Sequence, residues 1–235
     1  MKQEPGESES TSFVVAVSSV AGGGKTTLVT KAGQLLGATT LFFDDYRAVS
    51  QYPQDLRQWV EDGADLSEWK TPQLAKDLSA LKRGESIQPP VGGATISSTA
   101  FIIIEEPMGR GRDEMAKSID FVALIETPPD IALARRFLRM ADANPVADLE
   151  QTTRKQLTES VEALAGFLRF GGAALLEIDQ LRSYLDVSRS VYMAVQEQVA
   201  ADCDLVLDGR LPADELAEQL VGAVRRAAPG SARPA

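Results

Sequence analysis

Gly22, Gly23 and Gly24, followed by Lys25, Thr26 and Thr27, are residue types whose order defines a chemistry. Glycines let consecutive backbone N–H groups converge on one point. A helix beginning at the lysine adds the partial positive charge of its N-terminus, so the stretch suits anionic oxygens. In that arrangement Ala21 and the three glycines wrap the phosphates of a nucleoside triphosphate, and Lys25 reaches the β- and γ-phosphates. The Thr26 hydroxyl is placed to ligate Mg2+, and Thr27 to bond the α-phosphate. The spacing G-x-x-x-x-G-K-[ST] is met except at its first position, where Ser19 stands in place of glycine.

Phosphoryl transfer to a hydroxyl needs more: a carboxylate to take the proton, an acidic group on the metal side, and cations over the moving charge. Asp44 and Asp45 in LFFDDY, Glu105 and Glu106 in FIIIEEP, and Arg135, Arg136 and Arg139 in IALARRFLRM offer these. By residue type either aspartate can be the base. Arg135 and Arg139 share a helix face through their i, i+4 spacing, as a lid requires and as a plain basic helix face also shows. Arg47, Arg110 and Arg112 lie in expected loops, where they either meet an acidic group on an acceptor or balance an acidic surface. Phe42, Phe43, Tyr46, Tyr52, Trp59 and Trp69 gather near the second strand, and one or two of them can stack on a planar substrate while the rest fill the core.

These groups must be held by a sheet. Short apolar runs alternate with longer periodic ones, the βαβ pattern of a mostly parallel sheet covered on both faces. Strands are expected at Phe13 to Ser18, Thr39 to Phe43, Ala100 to Glu105, Phe121 to Ile125 and Asp204 to Leu207. Helices are expected at Lys25 to Leu36, Asp55 to Glu61, Gln73 to Arg83, Asp130 to Ala141, Asp148 to Phe170, Gln180 to Ala201 and Ala213 to Arg226. The fold class is therefore α/β: a P-loop NTPase with a doubly wound, mostly parallel five-stranded sheet, helices on both faces and a helical lid. One domain spans 13–226, with lid and helical cap at about 130–201, between polar tails at 1–12 and 227–235.

The composition narrows the function. The 235 residues carry a net charge of −10, a field that repels phosphate backbones, so nucleic acid is not an expected partner. No apolar run reaches the roughly 18 residues of a membrane helix and the N-terminus lacks a signal-peptide pattern, so no membrane contact and a cytoplasmic location are expected. A sequence without histidine excludes His-based metal sites and Ser-His or Cys-His pairs. Cys203 is the single cysteine and reads as a small core residue. A guanine-reading switch is disfavoured, because Asn144, the only asparagine, precedes a proline and no Asn-Lys-x-Asp occurs.

From Phe13 to Arg226, more weakly between about Asn144 and Asp186, the chain resembles the uridine kinase and phosphoribulokinase-like family of small-molecule kinases, including its nicotinamide riboside kinase branch. AGGGKTTL matches its phosphate loop, and FFDDYR resembles its Asp-x-(Phe/Tyr) after the second strand. WKTPQLAKDLSALKRGESIQPP resembles a family segment ending in a Leu-Lys-x-Gly turn and a proline. IIIEEP resembles its Val-Glu-Gly, FVALIETPPDIALARRFLR its fourth strand and arginine-rich lid helix, and CDLVLDG its last strand.

The resemblance implies that Asp44 is the general base, Asp45 the variable residue and Tyr46 the aromatic one. It implies that Asp44, Tyr46, Arg47 and Glu105 border the acceptor, and that Thr26 and Glu105 hold Mg2+. Ala21, Gly22, Gly23, Gly24, Lys25, Thr26, Thr27 and Arg136 would bind ATP, and Lys25, Arg135 and Arg139 would stabilise the transferring group.

The chain departs from the family at VGGATISST, where the tyrosine, aspartate, histidine and arginine that hold a nucleoside are absent, and at Glu106 and Pro107, which replace a glycine and a bulky residue. MADANP after the lid arginines also lacks the basic residues of some members. The expected function is ATP- and Mg2+-dependent phosphorylation of a small-molecule alcohol. The alternative is a regulatory or assembly ATPase acting on a protein partner.

Overall fold

Near-continuous apolar runs mark strands buried on both faces, and the computed structural model, which describes residues 12–142 and 179–229, builds its sheet from five of them. β1 is Phe13–Ser18, β2 Thr39–Leu41, β3 Phe101–Glu105, β4 Phe121–Glu126 and β5 Leu205–Asp208. All pair in parallel in the order β2-β3-β1-β4-β5. Register sets Val17 of β1 opposite Glu105 of β3, so the carboxyl ends of both strands reach the same edge. Neighbours on opposite sides of β1 are reached by different crossovers, and the crevice at its carboxyl end is where this topology places a ligand.

The helices are α1 (Lys25–Leu36), α2 (Leu56–Glu61), α3 (Pro72–Lys82), α4 (Asp113–Ala116), α5 (Pro129–Asp142), α6 (Arg189–Ala201) and α7 (Ala213–Ala227). The period of two along each strand divides the core. Val15, Val17, Ile103, Ala123 and Ile125 face Leu28, Val29 and Ala32 of α1 and Leu216, Leu220 and Val224 of α7. Val14, Ala16, Ile102, Ile104, Val122 and Leu124 face Leu74, Leu78 and Leu81 of α3, with Met115 of α4 and Val199 of α6. A third cluster of Trp59, Ala64, Leu66, Met108 and Val191 joins α2 to α6. This is the doubly wound α/β architecture of a P-loop NTPase.

Several elements differ from expectation. β2 ends at Leu41, because from Phe43 to Val49 the chain winds into a 3-10 helix whose first turn carries both Asp44 and Asp45. Ser12 belongs to the fold: its hydroxyl donates to Thr99 O at 2.7 Å and its backbone N–H to Lys82 O. At the other end Ala227 is the last residue of α7. A π-helical turn, Tyr184–Ser188, interrupts the expected Gln180 to Ala201 helix. α4 was not expected, being too short to show a period. Cys203 is half-buried against the sheet. The helix expected at Asp148 to Phe170 lies outside the described residues. Among the described residues no helix is long and apolar enough to cross a membrane.

Candidate active site

The loop between β1 and α1 is tied down on every side. Ser19, at the position that departs from the glycine pattern, donates its hydroxyl to Ile125 O of β4 at 2.8 Å. That hydroxyl also fixes the identity of Gly23, where a Cβ would stand 1.9 Å from Ser19 Oγ. Gly22 has φ 86° and abuts α5, with its missing Cβ falling 2.1 Å from Ala132 O. Gly24, at φ 103°, is the N-cap of α1. The Thr127 hydroxyl donates to Gly23 O at 3.1 Å, joining the loop to the end of β4. The Lys25 ammonium curls back to Ser19 O and Val20 O, at 3.0 and 3.1 Å. Burial lowers its pKa, and the carboxylates of Glu105 and Asp44 act against that.

A cavity of about 680 Å3 opens from this loop across the carboxyl edge of the sheet. Ala21, Gly22, Gly24, Lys25, Thr26, Thr27, Asp44, Arg47, Glu105, Arg135, Arg136 and Arg139 all line it. Gly23 contributes the loop's shape without lining the space. Asp44 lines the cavity and Asp45 does not, which separates two residues that residue type leaves equivalent. Glu105 accepts a hydrogen bond from the Thr26 hydroxyl at 3.0 Å. Burial raises the pKa of Glu105, while Lys25 and the Thr26 hydroxyl pull it back.

α5 carries the three arginines differently. Arg135 donates to Gly209 O, just after β5, at 3.0 Å, and Arg136 donates to Gln180 Oε1 at 3.0 Å and to the Tyr192 hydroxyl at 3.3 Å. Arg139 makes no hydrogen bond among the described residues, and its charge acts on both Lys25 and Glu105. The helix thus packs on the loop between β1 and α1 through Ala132, and of its three arginines only Arg139 has no hydrogen bond among the described residues.

Beyond the loop the cavity is lined by Phe43, Tyr52, Pro53, Leu56, Trp69, Met108, Val191 and Val195, with Tyr192 and Gln196 of α6 as polar members. The α6 residues in this wall were missed by sequence reasoning, which read the helix only as a cap; helical apolar spacing does not distinguish core from cavity. The Tyr52 and Trp69 rings meet edge to face at 5.2 Å.

Behind this wall lies a buried ion pair, Glu106 with Arg112. Arg112 also donates to the Thr71 hydroxyl at 2.5 Å and to Trp69 O at 3.3 Å, and its guanidinium lies 5.7 Å from the centroid of the Phe43 ring. One side chain thereby fixes three parts of the cavity's surroundings.

Three expectations are corrected here. Tyr46 is fully buried and donates to Asp77 Oδ2 at 2.9 Å, so it is a core residue and not part of the cavity wall. Arg112 is equally buried and held by its ion pair with Glu106, neither a surface charge nor a residue of the cavity lining. Arg110 is engaged by Asp204 at 2.6 Å and by the carbonyls of Ile119 and Asp120. Of the three loop arginines, only Arg47 remains at the cavity.

No protein-family model and no curated protein sequence matches the chain. Among solved structures it is similar to a gluconokinase from Sinorhizobium meliloti 1021, 11% identical over 91% of this chain and 92% of that one, with a TM-score of 0.48. It is also similar to shikimate kinase from Aquifex aeolicus vf5, at 10% identity over 90% and 96% of the two chains and a TM-score of 0.43. A possible uridine kinase from Bacillus stearothermophilus is 20% identical over 67% of this chain and 90% of that one, with a TM-score of 0.38.

Proposed function

We propose that this protein is an ATP- and Mg2+-dependent kinase that transfers a γ-phosphoryl group to a hydroxyl of a small molecule. The observation that carries the reading is Asp44 facing the same cavity as Lys25, Thr26 and Glu105. A carboxylate across from a triphosphate loop is what an in-line transfer to an alcohol requires, and an ATPase that activates only water has no need of an acceptor chamber beyond it.

Thr26 and Glu105 offer hard oxygen ligands, which suit Mg2+, and among the described residues no cluster of three acidic, cysteine or histidine side chains forms a closed cage. This fits an ion held largely by phosphate oxygens and water. When bound, Mg2+ offsets charge on the transferring group.

The chain's own residues do the rest. The loop N–H groups and Lys25 hold the triphosphate, and Asp44 orients the acceptor hydroxyl and takes its proton as oxygen attacks phosphorus. Arg139, with Arg135 and Arg136, balances the charge that builds on the phosphoryl oxygens. The apolar far wall keeps water from competing with the acceptor.

The test is ADP release from Mg·ATP against a panel of nucleosides, pentoses, hydroxy acids and vitamin-like alcohols, with Asp44→Asn as control. Acceptor-dependent release that the variant loses supports the kinase. Release indifferent to every alcohol and quickened by a protein partner would replace it with the regulatory ATPase.

A further inference from the structure

The acceptor half of the cavity carries a chemical signature. Asp44 and Arg47 stand three residues apart on the 3-10 helix Phe43–Val49, where residues at i and i+3 eclipse, so both project to one side about 6 Å apart along its axis. Both line the cavity, yet no ion pair joins them. The Arg47 guanidinium has no hydrogen bond or ion pair among the described residues, whereas Arg110, Arg112, Arg135 and Arg136 are all engaged by protein groups. Arg139, which also has no hydrogen bond or ion pair among the described residues, acts on Lys25 and Glu105 and so belongs to the phosphate end; Arg47 is not among the charges those two feel most.

The same cavity offers aromatic and apolar surface: Tyr52 and Trp69 in edge-to-face contact, with Pro53 and Leu56 also in the lining. The Tyr52 hydroxyl is already committed to Arg47 O at 3.2 Å. Among the side chains that line the cavity, only Trp69 Nε1 and Gln196 Oε1 are buried without a partner among the described residues, too few for the many hydroxyls of a sugar or polyol, and each hydroxyl desolvated without a partner weakens binding about tenfold.

We propose that the acceptor is an anionic hydroxy compound with a flat body, its hydroxyl at Asp44, its planar part against Tyr52 and Trp69, and its carboxylate or phosphate on Arg47. This rests on the kinase reading above and adds the substrate class. In an acidic chain of net charge −10, an arginine that lines a cavity and has no ion pair among the described residues offers an anion a local attraction against the overall field.

The probes are 4-(hydroxymethyl)benzoate, its uncharged carboxamide and xylitol, titrated by calorimetry into the protein held with Mg2+ and a non-hydrolysable ATP analogue, with ADP release from ATP measured in parallel. The carboxylate should bind about ten- to a hundredfold more tightly than the carboxamide, the range expected for a charge-assisted hydrogen bond, and xylitol should bind most weakly. Arg47→Gln should bring the carboxylate down to the carboxamide's affinity without changing that of the carboxamide; retained binding of the ATP analogue reports that the variant is folded. Equal binding of carboxylate and carboxamide, preference for xylitol, or no binding of any probe at millimolar concentration would overturn the inference. ADP release that depends on an acceptor but ignores its charge would leave the kinase standing and this inference fallen. Carboxylate preference that Arg47→Gln abolishes, with no ADP release for any probe, would leave the anion subsite standing and the kinase fallen.

Discussion

The hydroxyl of Thr26 donates to the carboxylate of Glu105 across 3.0 Å, joining the first turn of α1 to the last residue of β3. Two segments 79 residues apart thus bring hard oxygen atoms together beside Lys25, and parallel register, which sets Val17 against Glu105, makes this possible. In the kinase reading proposed above, this pair is the metal side of the site. Glu105 stands where phosphate-loop proteins more often have an aspartate, and its carboxylate reaches the threonine from the strand end.

Glu105→Gln keeps an acceptor for Thr26 but removes the charge. The Mg2+ concentration for half-maximal ADP release should rise about ten- to a hundredfold, the usual effect of losing a group that supports a metal, while binding of metal-free ATP holds. A rate profile against Mg2+ identical to the parent's would remove Glu105 from the metal side.

Asp44 and Asp45 are adjacent in sequence and opposite in prospect. Asp44→Asn should lower acceptor-dependent turnover at least about a hundredfold with nucleotide affinity nearly unchanged, whereas Asp45→Asn should stay within about threefold of the parent. The reverse ranking would move the base to the residue that the 3-10 turn directs away from the cavity.

Ser19 is a departure that the structure accounts for. Its bond to Ile125 O braces the phosphate loop against β4, so Ser19→Gly should lose roughly 1 kcal/mol and about 2–4 °C of melting temperature while retaining ATP. Gly23→Ala should instead abolish ATP binding, because its Cβ would collide with Ser19 Oγ. A thermal melt of each with and without Mg·ATP separates the two effects.

Arg112→Ala strands the Glu106 carboxylate in the core, which costs about 3–5 kcal/mol, readable as a lower denaturant midpoint. The double variant Glu106→Gln with Arg112→Met should recover a large part of that loss, because no lone charge then remains buried. A double variant as weak as Arg112→Ala would show that the bonds to Thr71 and Trp69 O, and not the ion pair, carry the stability.

Much of this was legible because local order and function coincide in a phosphate loop: the strand, the glycines and Lys25 are contiguous, and the bounds expected for β1 and α1 are those observed. Glu105 and the α5 arginines followed from the strand and helix they end or ride on. What contiguity cannot show is which way a side chain turns. FFDDY reads as a strand running into a loop, yet it bends into a 3-10 helix after Phe42, and that bend sends Asp44 to the cavity and Tyr46 to the core. Arg112 was illegible for a related reason, since its partners Glu106, Thr71 and Trp69 come from two segments that meet only in the fold.

Tyr46 offers the sharpest test of that distinction. Burial, the bond to Asp77 and the Asp77 charge together raise its pKa well above the ordinary value of 10.0, so it remains a donor to Asp77 at alkaline pH. Tyr46→Phe should lower stability by about 1.5–3 kcal/mol, the range for a hydrogen bond to a charged group, and leave turnover unchanged. The sign with pH is fixed: a proton held more tightly in the folded state stabilises fully below about pH 10 and progressively less above it, so the gap between parent and variant should narrow as pH rises past 10. A loss of turnover at unchanged stability would return Tyr46 to the acceptor site.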